Sequence, residues 1–210
     1  MIFNIKGDTK EIEKDLNRVQ KKQIPFASAM AINTTLFKIM KAEKTQLSKK
    51  LDRPTPFTMK GFKVTKAKKH QLWGSIEIQP NRWKYLKYQV DGGIRKATTG
   101  KPILIPAQHL RNKYGNLPKN KTKKLIAAKK KFFYGTPNGW RVQGNWGIWE
   151  RMGRGGRESL RRVVNMSRTA TYDKAFPFIK IADGLTASQF RKILKRELGR
   201  AYKSSRRGGK

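Results

Sequence analysis

Side chains that could catalyse a reaction are sparse in this sequence of 210 residues. Thirteen Asp and Glu are scattered along it, and only Asp91, Glu150 and Glu158 fall in loop or strand-end positions from which they could converge. A nuclease or another hydrolase needs converging carboxylates, either to hold a metal ion or to divide the acid and base roles. We interpret these three as surface ion-pair partners and predict that the protein is not an enzyme, with a nuclease as the weaker alternative.

Metal and cofactor chemistry also has few candidate residues. Cysteine is absent, which excludes disulfides, thiol nucleophiles and every zinc site that needs a thiolate, and His70 and His109 are the two imidazoles. Gly93 and Gly100 are too far apart for a phosphate-binding loop, and Pro102 stands where its magnesium-binding Ser or Thr would be. We therefore predict no metal, no cofactor and no small-molecule substrate.

Binding of an anion is the chemistry that the sequence favours. It has 50 Lys and Arg against 13 Asp and Glu, a formal net charge of +37, and no acidic residue between Asp91 and Glu150. Such a chain repels itself unless salt or a negatively charged partner compensates the charge. A solvated basic loop without a ligand is the alternative. The cations predicted to contact DNA or an acidic partner are Lys119, Lys121, Lys123, Lys124, Lys129, Lys130, Lys131, Arg206 and Arg207.

Helical periodicity dominates the first quarter of the chain. A capping box at Asp8 and Glu11 predicts a first helix that runs to about Lys22, and a second helix follows from Phe26 to about Leu51. Alternating apolar residues then predict antiparallel strands at 62–65, 72–78 and 86–90, and a short edge strand between prolines at 102–106.

The second half predicts further strands and a closing helix. Asn138 and Gly139 are typical of a hairpin turn, a strand is predicted at 178–181, and a capping box at Thr186 predicts the start of the last helix. We predict one α+β domain over 1–203: N-terminal helices, a central antiparallel sheet with a basic loop excursion at about 107–131, and a C-terminal helix packed with the N-terminal helices. Residues 204–210 are predicted to form a flexible basic tail.

Three segments carry a resemblance to a known family. The run 24–33 places a proline before Phe-Ala-Ser-Ala-Met-Ala-Ile-Asn, residues 147–153 read Gly-Ile-Trp-Glu-Arg-Met-Gly, and Ala175-Phe176-Pro177 precedes a basic C-terminal helix. In type and order these segments resemble the minor tail protein Z family, the tail completion proteins of lambda-like tailed phages and prophages. The resemblance implies a virion protein at the head-proximal end of a tail, arranged in a ring and without enzyme activity.

The partners follow from that resemblance. We expect copies of the same chain, other tail and neck proteins and packaged DNA as partners, and we predict a subunit interface at Trp146, Ile148, Trp149 and Arg151. No membrane partner is expected, because the apolar stretches are far shorter than the ~20 residues that span a bilayer, and the chain would be made in the host cytoplasm. The alternative class is a free nucleic-acid-binding protein that recognises the phosphate backbone without sequence preference.

Overall fold

A computed structural model describes residues 22–98, 101–137, 146–153 and 159–207, which form helices and antiparallel sheets in the predicted α+β class. The helices in these ranges are α1 (Ile24–Lys50), α2 (Pro56–Met59), α3 (Pro80–Val90), α4 (Lys121–Ala127) and α5 (Phe178–Arg207). The strands are β1 (Phe62–Thr65), β2 (Ser75–Ile78), β3 (Gly93–Lys96), β4 (Ile103–Pro106), β5 (Phe132–Gly135), β6 (Gly147–Met152), β7 (Ser159–Ser167) and β8 (Thr169–Tyr172). In this part of the chain no helix is both long and apolar enough to cross a membrane.

The described residues divide into two compact units. The first contains 22–46, 60–83 and 177–207, and the second contains 47–59 and 84–176 without the gaps in the described ranges. The single domain over 1–203 stays a prediction.

In the first unit, α1 packs with α5 as predicted. The small side chains of Ala27 and Ala31 are buried on α1, and Lys38 Nζ donates a 3.3 Å hydrogen bond to the side-chain oxygen of Gln189 on α5. Small residues let a neighbouring backbone approach closely, which explains the alanine-rich start of α1. The helix predicted at 8–22 lies outside the described residues.

The β1–β2 hairpin belongs to the same unit. Its strands pair from Phe62 opposite Ile78 to Thr65 opposite Ser75, and the Phe62 ring stacks on Phe178 of α5 at 6.1 Å between centroids. Asn33 of α1 accepts a hydrogen bond from the backbone N–H of Ala67 at 2.8 Å and donates one to its carbonyl at 3.0 Å. The ring stack thus holds the hairpin against α5, and the two hydrogen bonds of the Asn33 amide hold it against α1.

The second unit contains two separate sheets. Strands β3 and β8 form a two-stranded sheet, and a four-stranded antiparallel sheet has the order β4-β7-β6-β5. The edge position of β4 confirms the edge strand predicted at 102–106. The prediction of a single central sheet was wrong, because in the described residues these two sheets and the β1–β2 hairpin are separate. The core of the four-stranded sheet consists of Leu125, Ile148, Val163, Val164 and Met166.

Two predicted strands are helical in the structure. Residues 86–90 belong to α3, which begins at Pro80 and buries Leu86 to 1% exposure. Apolar and polar residues alternate at 86–90, but a window this short does not distinguish a strand from a helix. Residues 178–181 form the first turn of α5, directly after Pro177. Thr186, predicted as an N-cap, lies inside that helix, and its hydroxyl donates to the Ala182 carbonyl at 2.8 Å.

The end of the last helix also differs from the sequence prediction. The last helix continues to Arg207, so the predicted tail begins within it at Ser204, whose hydroxyl donates to the Ala201 carbonyl at 2.8 Å. The excursion at about 107–131 contains a 3-10 turn, Gln108–Leu110, and helix α4. Strand β5 pairs with β6, whereas the predicted turn at Asn138 and Gly139 lies outside the described residues.

Candidate polyanion-binding surface

One end of the four-stranded sheet collects most of its cations. Pairing in register places Glu150 of β6 opposite Arg161 of β7 and Phe132 of β5, and Trp149 opposite Arg162. The turn that leads into β5 carries three consecutive lysines. We call this region the basic end, and its charged residues are Lys129, Lys130, Lys131, Arg151, Arg161, Arg162 and Glu150. Six cations against one carboxylate leave the basic end with a net charge of +5.

Glu150 is enclosed by two of these cations. It is 7% exposed, it accepts a 3.1 Å hydrogen bond from Arg161 Nε, and its other oxygen lies 3.2 Å from Lys131 Nζ. The hydrogen bond from Arg161, helped by the Lys131 ammonium, lowers the pKa of Glu150 below its ordinary value, although burial opposes the shift. Glu150 therefore stays ionised at neutral pH and orders two cations of the basic end.

Arg151 holds the lysine turn in place. Its Nη1 donates to the Lys129 carbonyl at 2.8 Å and makes longer contacts of 3.4 Å with the carbonyls of Lys130 and Phe132. Its guanidinium also stands over the Phe133 ring, 4.9 Å from the centroid. A planar guanidinium can donate to several carbonyls while it stacks on an aromatic face, which an ammonium cannot do. The exposed side chains of Lys129 and Lys130 are thus displayed on an ordered turn.

A second arginine–aromatic pair lies beside the first. Arg162 stands over the Trp149 ring at 5.6 Å, and Trp149 Nε1 donates to the Gly135 carbonyl at 3.1 Å. Because Phe133 is directly opposite Trp149, both pairs lie on the same face of the sheet. Both guanidinium groups belong to exposed residues, so this face presents planar cations on a rigid aromatic support. Such guanidinium groups suit the bidentate recognition of phosphate or carboxylate.

Helix α4 adds further lysines to the surface near β5. Leu125 is 5% exposed and joins the sheet core, whereas Lys123 and Lys124 on the same short helix are exposed. Lys119 is exposed and Lys121 is half-buried. Lys121, Lys123 and Lys124 therefore lie on an anchored helix and Lys129, Lys130 and Lys131 on an ordered turn, whereas Lys119 precedes the helix.

The four residues predicted for a subunit interface have other roles. Ile148 and Trp149 are 0% and 4% exposed, so they pack inside the chain and offer little surface to a second subunit. Trp146 is half-buried and packs edge-on against Tyr134 at 5.4 Å, and Arg151 orders the lysine turn. The subunit interface at these residues stays a prediction, and burial leaves Trp146 and Arg151 as the two of the four with surface to offer a second copy.

Of the remaining predicted cations, one lies at the basic end and two lie at the end of α5. Lys131 lies at the basic end but shares its charge with Glu150, and Arg206 and Arg207 are the last residues of α5. Sequence reasoning missed Arg161 and Arg162. Their signal was a pair of adjacent arginines at the start of a strand that follows a basic glycine-rich loop.

The candidate catalytic acids do not form a site in the described part of the chain. Asp91 is exposed, Glu150 is held in ion pairs, and Glu158 lies outside the described residues. Among the residues with described positions, no three His, Asp or Glu side chains come close enough together to hold a metal ion.

Comparison with known proteins gives no relative: no family model matches the chain, and no curated protein or solved structure shows significant similarity to it.

Proposed function

We propose that the protein is a structural virion protein of a phage tail, a tail completion protein at the head-proximal end. Copies of the chain form a ring that joins the tail to the head side of the particle, and the protein carries out no reaction. The basic end and the lysines of α4 bind a polyanion, which is either DNA in the channel or the acidic face of a neighbouring subunit. The observation that carries this proposal is that the basic end gathers six cations on ordered backbone, while its one carboxylate, Glu150, is already paired with Lys131 and Arg161.

The order of the basic end favours binding over mere solvation. A solvated loop has to lose conformational freedom when it binds, whereas Arg151 and Glu150 already hold the lysine turn and Arg161 in place. Cations that neutralise phosphates release condensed counterions, so affinity is sequence-independent and decreases steeply with salt. A channel or neck protein needs this kind of contact, because DNA of any sequence must pass it.

Exposed apolar side chains support an assembled state. Phe26, Met30 and Phe37 of α1 are 53%, 41% and 40% exposed, and helical spacing puts them on one face. An isolated soluble protein rarely leaves several large apolar side chains in one row on its surface. Neighbouring subunits of a tail would cover them.

The decisive experiment uses particles rather than the purified chain. Tailed particles are purified from cells that express the full chain with its phage, labelled with gold-conjugated antibodies against the chain, and imaged in negative stain. Label at the junction of head and tail supports the proposal. Particles that lack the chain, or label confined to the distal tail tip, contradict it.

The second candidate is a free, sequence-independent nucleic-acid-binding protein, and the arginine–aromatic pairs of the basic end favour it. It predicts that purified monomer binds random duplex tightly, with a salt slope of about −0.9 for each phosphate contacted. The double variant Lys129→Gln/Lys130→Gln should then reduce that slope by about 2, because each lysine contacts one phosphate. The double variant Lys192→Gln/Lys195→Gln on α5 removes the same charge elsewhere, and an equal effect of both variants would contradict a role for the basic end.

A further inference from the structure

A cleft of about 520 Å³ lies in the second unit, away from the residues of the basic end. Its walls come from the segment after α1, from α3, from strand β3, from Tyr172 of β8 and from the turn at 112–116. Four aromatic rings line it, namely Phe57, Tyr85, Tyr114 and Tyr172. Its volume falls within the range of about 300–1,000 Å³ that is typical of small-molecule sites.

The turn at 112–116 fixes two of the lining residues. The side-chain oxygen of Asn112 accepts hydrogen bonds from the backbone N–H groups of Tyr114 at 2.9 Å and Asn116 at 3.1 Å. Just before this turn, Arg111 Nε donates to the Pro106 carbonyl at 2.9 Å. Tyr114 and Asn116 are therefore positioned before any ligand arrives.

The other walls are ordered in the same way. The hydroxyls of Thr55 and Thr58 lie 2.9 Å apart, and the Thr58 hydroxyl lies 3.0 Å from that of Tyr85. The Tyr172 ring stacks on Tyr88 at 5.6 Å between centroids. Tyr85 and Tyr172 are thus held by contacts within the unit, whereas Phe57 is 52% exposed and the Tyr114 ring has the Lys113 ammonium 5.1 Å from its centroid.

Several polar groups of the cleft have no protein partner. Within the described residues, the Arg95 guanidinium, the hydroxyls of Tyr114 and Tyr172 and the Asn116 side-chain amide make no hydrogen bond or ion pair to the chain. Asp52, the lining carboxylate, is neutralised by two 2.9 Å hydrogen bonds from Arg53, which lower its pKa. Half-buried Arg95 therefore remains to meet an anion.

Backbone strain occurs at the rim of the same cleft. Arg53 has a φ of 47°, in the left-handed region that a residue with a side chain rarely adopts. Gly115 lies beside it, where a Cβ would make an ordinary van der Waals contact of 3.5 Å with the Arg53 guanidinium. Strained residues held by their surroundings concentrate at ligand sites.

We propose that this cleft binds a nucleoside phosphate, with the phosphate on Arg95, the base against the tyrosine rings and the Asn116 amide at the base edge. Charge-assisted hydrogen bonds from a guanidinium suit phosphate, and base–aromatic stacking accepts any base. The nucleotide is either free or one unit of a single strand, since both present the same chemistry. The site is independent of the proposed tail function.

The test is titration calorimetry of the full chain with adenosine monophosphate, with a single-stranded thymidine pentamer and with inorganic phosphate, at about 0.3 M salt to screen the general positive charge. Saturable one-to-one binding of the nucleotide, and weaker binding of phosphate alone, is expected. Tighter binding of the pentamer than of the monophosphate identifies a strand as the source if Arg95→Gln removes the difference, because the basic end also binds a polyanion. Tighter binding of the monophosphate identifies a free nucleotide.

The variants locate the site. Arg95→Gln should weaken nucleotide binding by about tenfold or more, because it removes the one cation expected to meet the phosphate. Tyr172→Phe keeps the ring and its stacking, and it should weaken binding severalfold. Arg168→Gln, which removes an exposed arginine of the β7–β8 turn, serves as the charge-matched control. No saturable binding, equal affinity for inorganic phosphate, or equal effects of Arg95→Gln and Arg168→Gln would overturn the proposal.

Discussion

Arg151 Nη1 donates a 2.8 Å hydrogen bond to the backbone carbonyl of Lys129, so one cation of the basic end determines where others are displayed. The same guanidinium stacks on Phe133 and is therefore held by the sheet. An arrangement of this kind lets several positive charges stay close together without a carboxylate for each. The cost of their mutual repulsion is offset by hydrogen bonds to carbonyl oxygens, which carry partial negative charge.

Replacement of Arg151 by Lys tests this role without a change in charge. An ammonium cannot bridge the carbonyls of Lys129 and Phe132 while it stacks on the ring, so the turn should loosen. We expect faster amide hydrogen exchange at Lys131 and Phe132, whose N–H groups bond to the Ala128 carbonyl at 3.0 and 2.9 Å, and severalfold weaker duplex binding. Arg168→Lys is the control; unchanged exchange in the Arg151 variant would show that the turn is ordered by other contacts.

Replacement of Glu150 by Gln should change stability and affinity in opposite directions. The variant leaves Arg161 and Lys131 without a carboxylate, which costs about 1–2 kcal/mol of unfolding free energy. It also removes the negative charge of the basic end, so duplex should bind more tightly at low salt. Urea denaturation and fluorescence anisotropy measure the two effects. Glu77→Gln, which removes an exposed partner of Lys63, should leave both nearly unchanged, and a loss of affinity in the Glu150 variant would contradict this reading of the site.

Substitution of Gly147 by Ala should destabilise the four-stranded sheet. A Cβ at this position would clash with the Val164 carbonyl oxygen, next to the irregular pairing between Ile148 and Trp149. Because the contact is with backbone, we expect a loss of about 2–3 kcal/mol in thermal or urea denaturation. In contrast, Gly184→Ala lies in α5 with open space around its Cβ and should stabilise by about 0.5–1 kcal/mol. Equal effects would show that the close approach at Gly147 is relieved by a shift of the strands.

The long helix α1 and the short strands β1 and β4 could be predicted from the sequence, whereas α3 and the start of α5 could not. The 27-residue helix α1 repeats its apolar positions often enough to define a helical period. In contrast, the apolar residues Leu86, Tyr88 and Val90 alternate with polar ones in a window too short to distinguish a strand from a helix. The structure has a helix there, which begins at Pro80. A capping pattern at Thr186 was overridden by apolar residues that continue α5 in both directions.

The sequence predicted the positive charge of the candidate site, but it did not predict how the charged side chains are arranged. The lysines of 119–131 are visible as an acid-free basic segment, whereas the pairing of Glu150 with Arg161 depends on strand register. The roles of Arg151 and Trp149 also depend on register, because adjacent strand residues point to opposite faces. The subunit interface was predicted from the family resemblance, which gave no indication that Trp149 is buried within the chain.

Glu43 provides a test that is independent of any ligand. It continues the buried positions Leu36 and Ile39 of α1, is 0% exposed, and within the described residues neither of its carboxylate oxygens has a hydrogen-bond partner. Burial away from water raises the pKa of Glu43 from 4.5 to about 8. The folded state therefore favours the protonated carboxyl group at neutral pH.

The raised pKa fixes the direction of a pH effect on stability. The contribution of Glu43 to stability is fully present below pH 4.5, where the carboxyl is protonated in both the folded and the unfolded state. It is lost as the pH rises through the folded-state pKa of about 8. We expect Glu43→Gln to remove this dependence and to raise the unfolding free energy at pH 7 by on the order of 2–3 kcal/mol. Urea denaturation at pH 5, 6, 7 and 8, in steps of about one unit across this range, measures it. The exposed Glu77→Gln serves again as the control, and a Glu43 variant that loses stability in parallel with the wild type between these pH values would show that Glu43 is ionised and solvated in the folded protein.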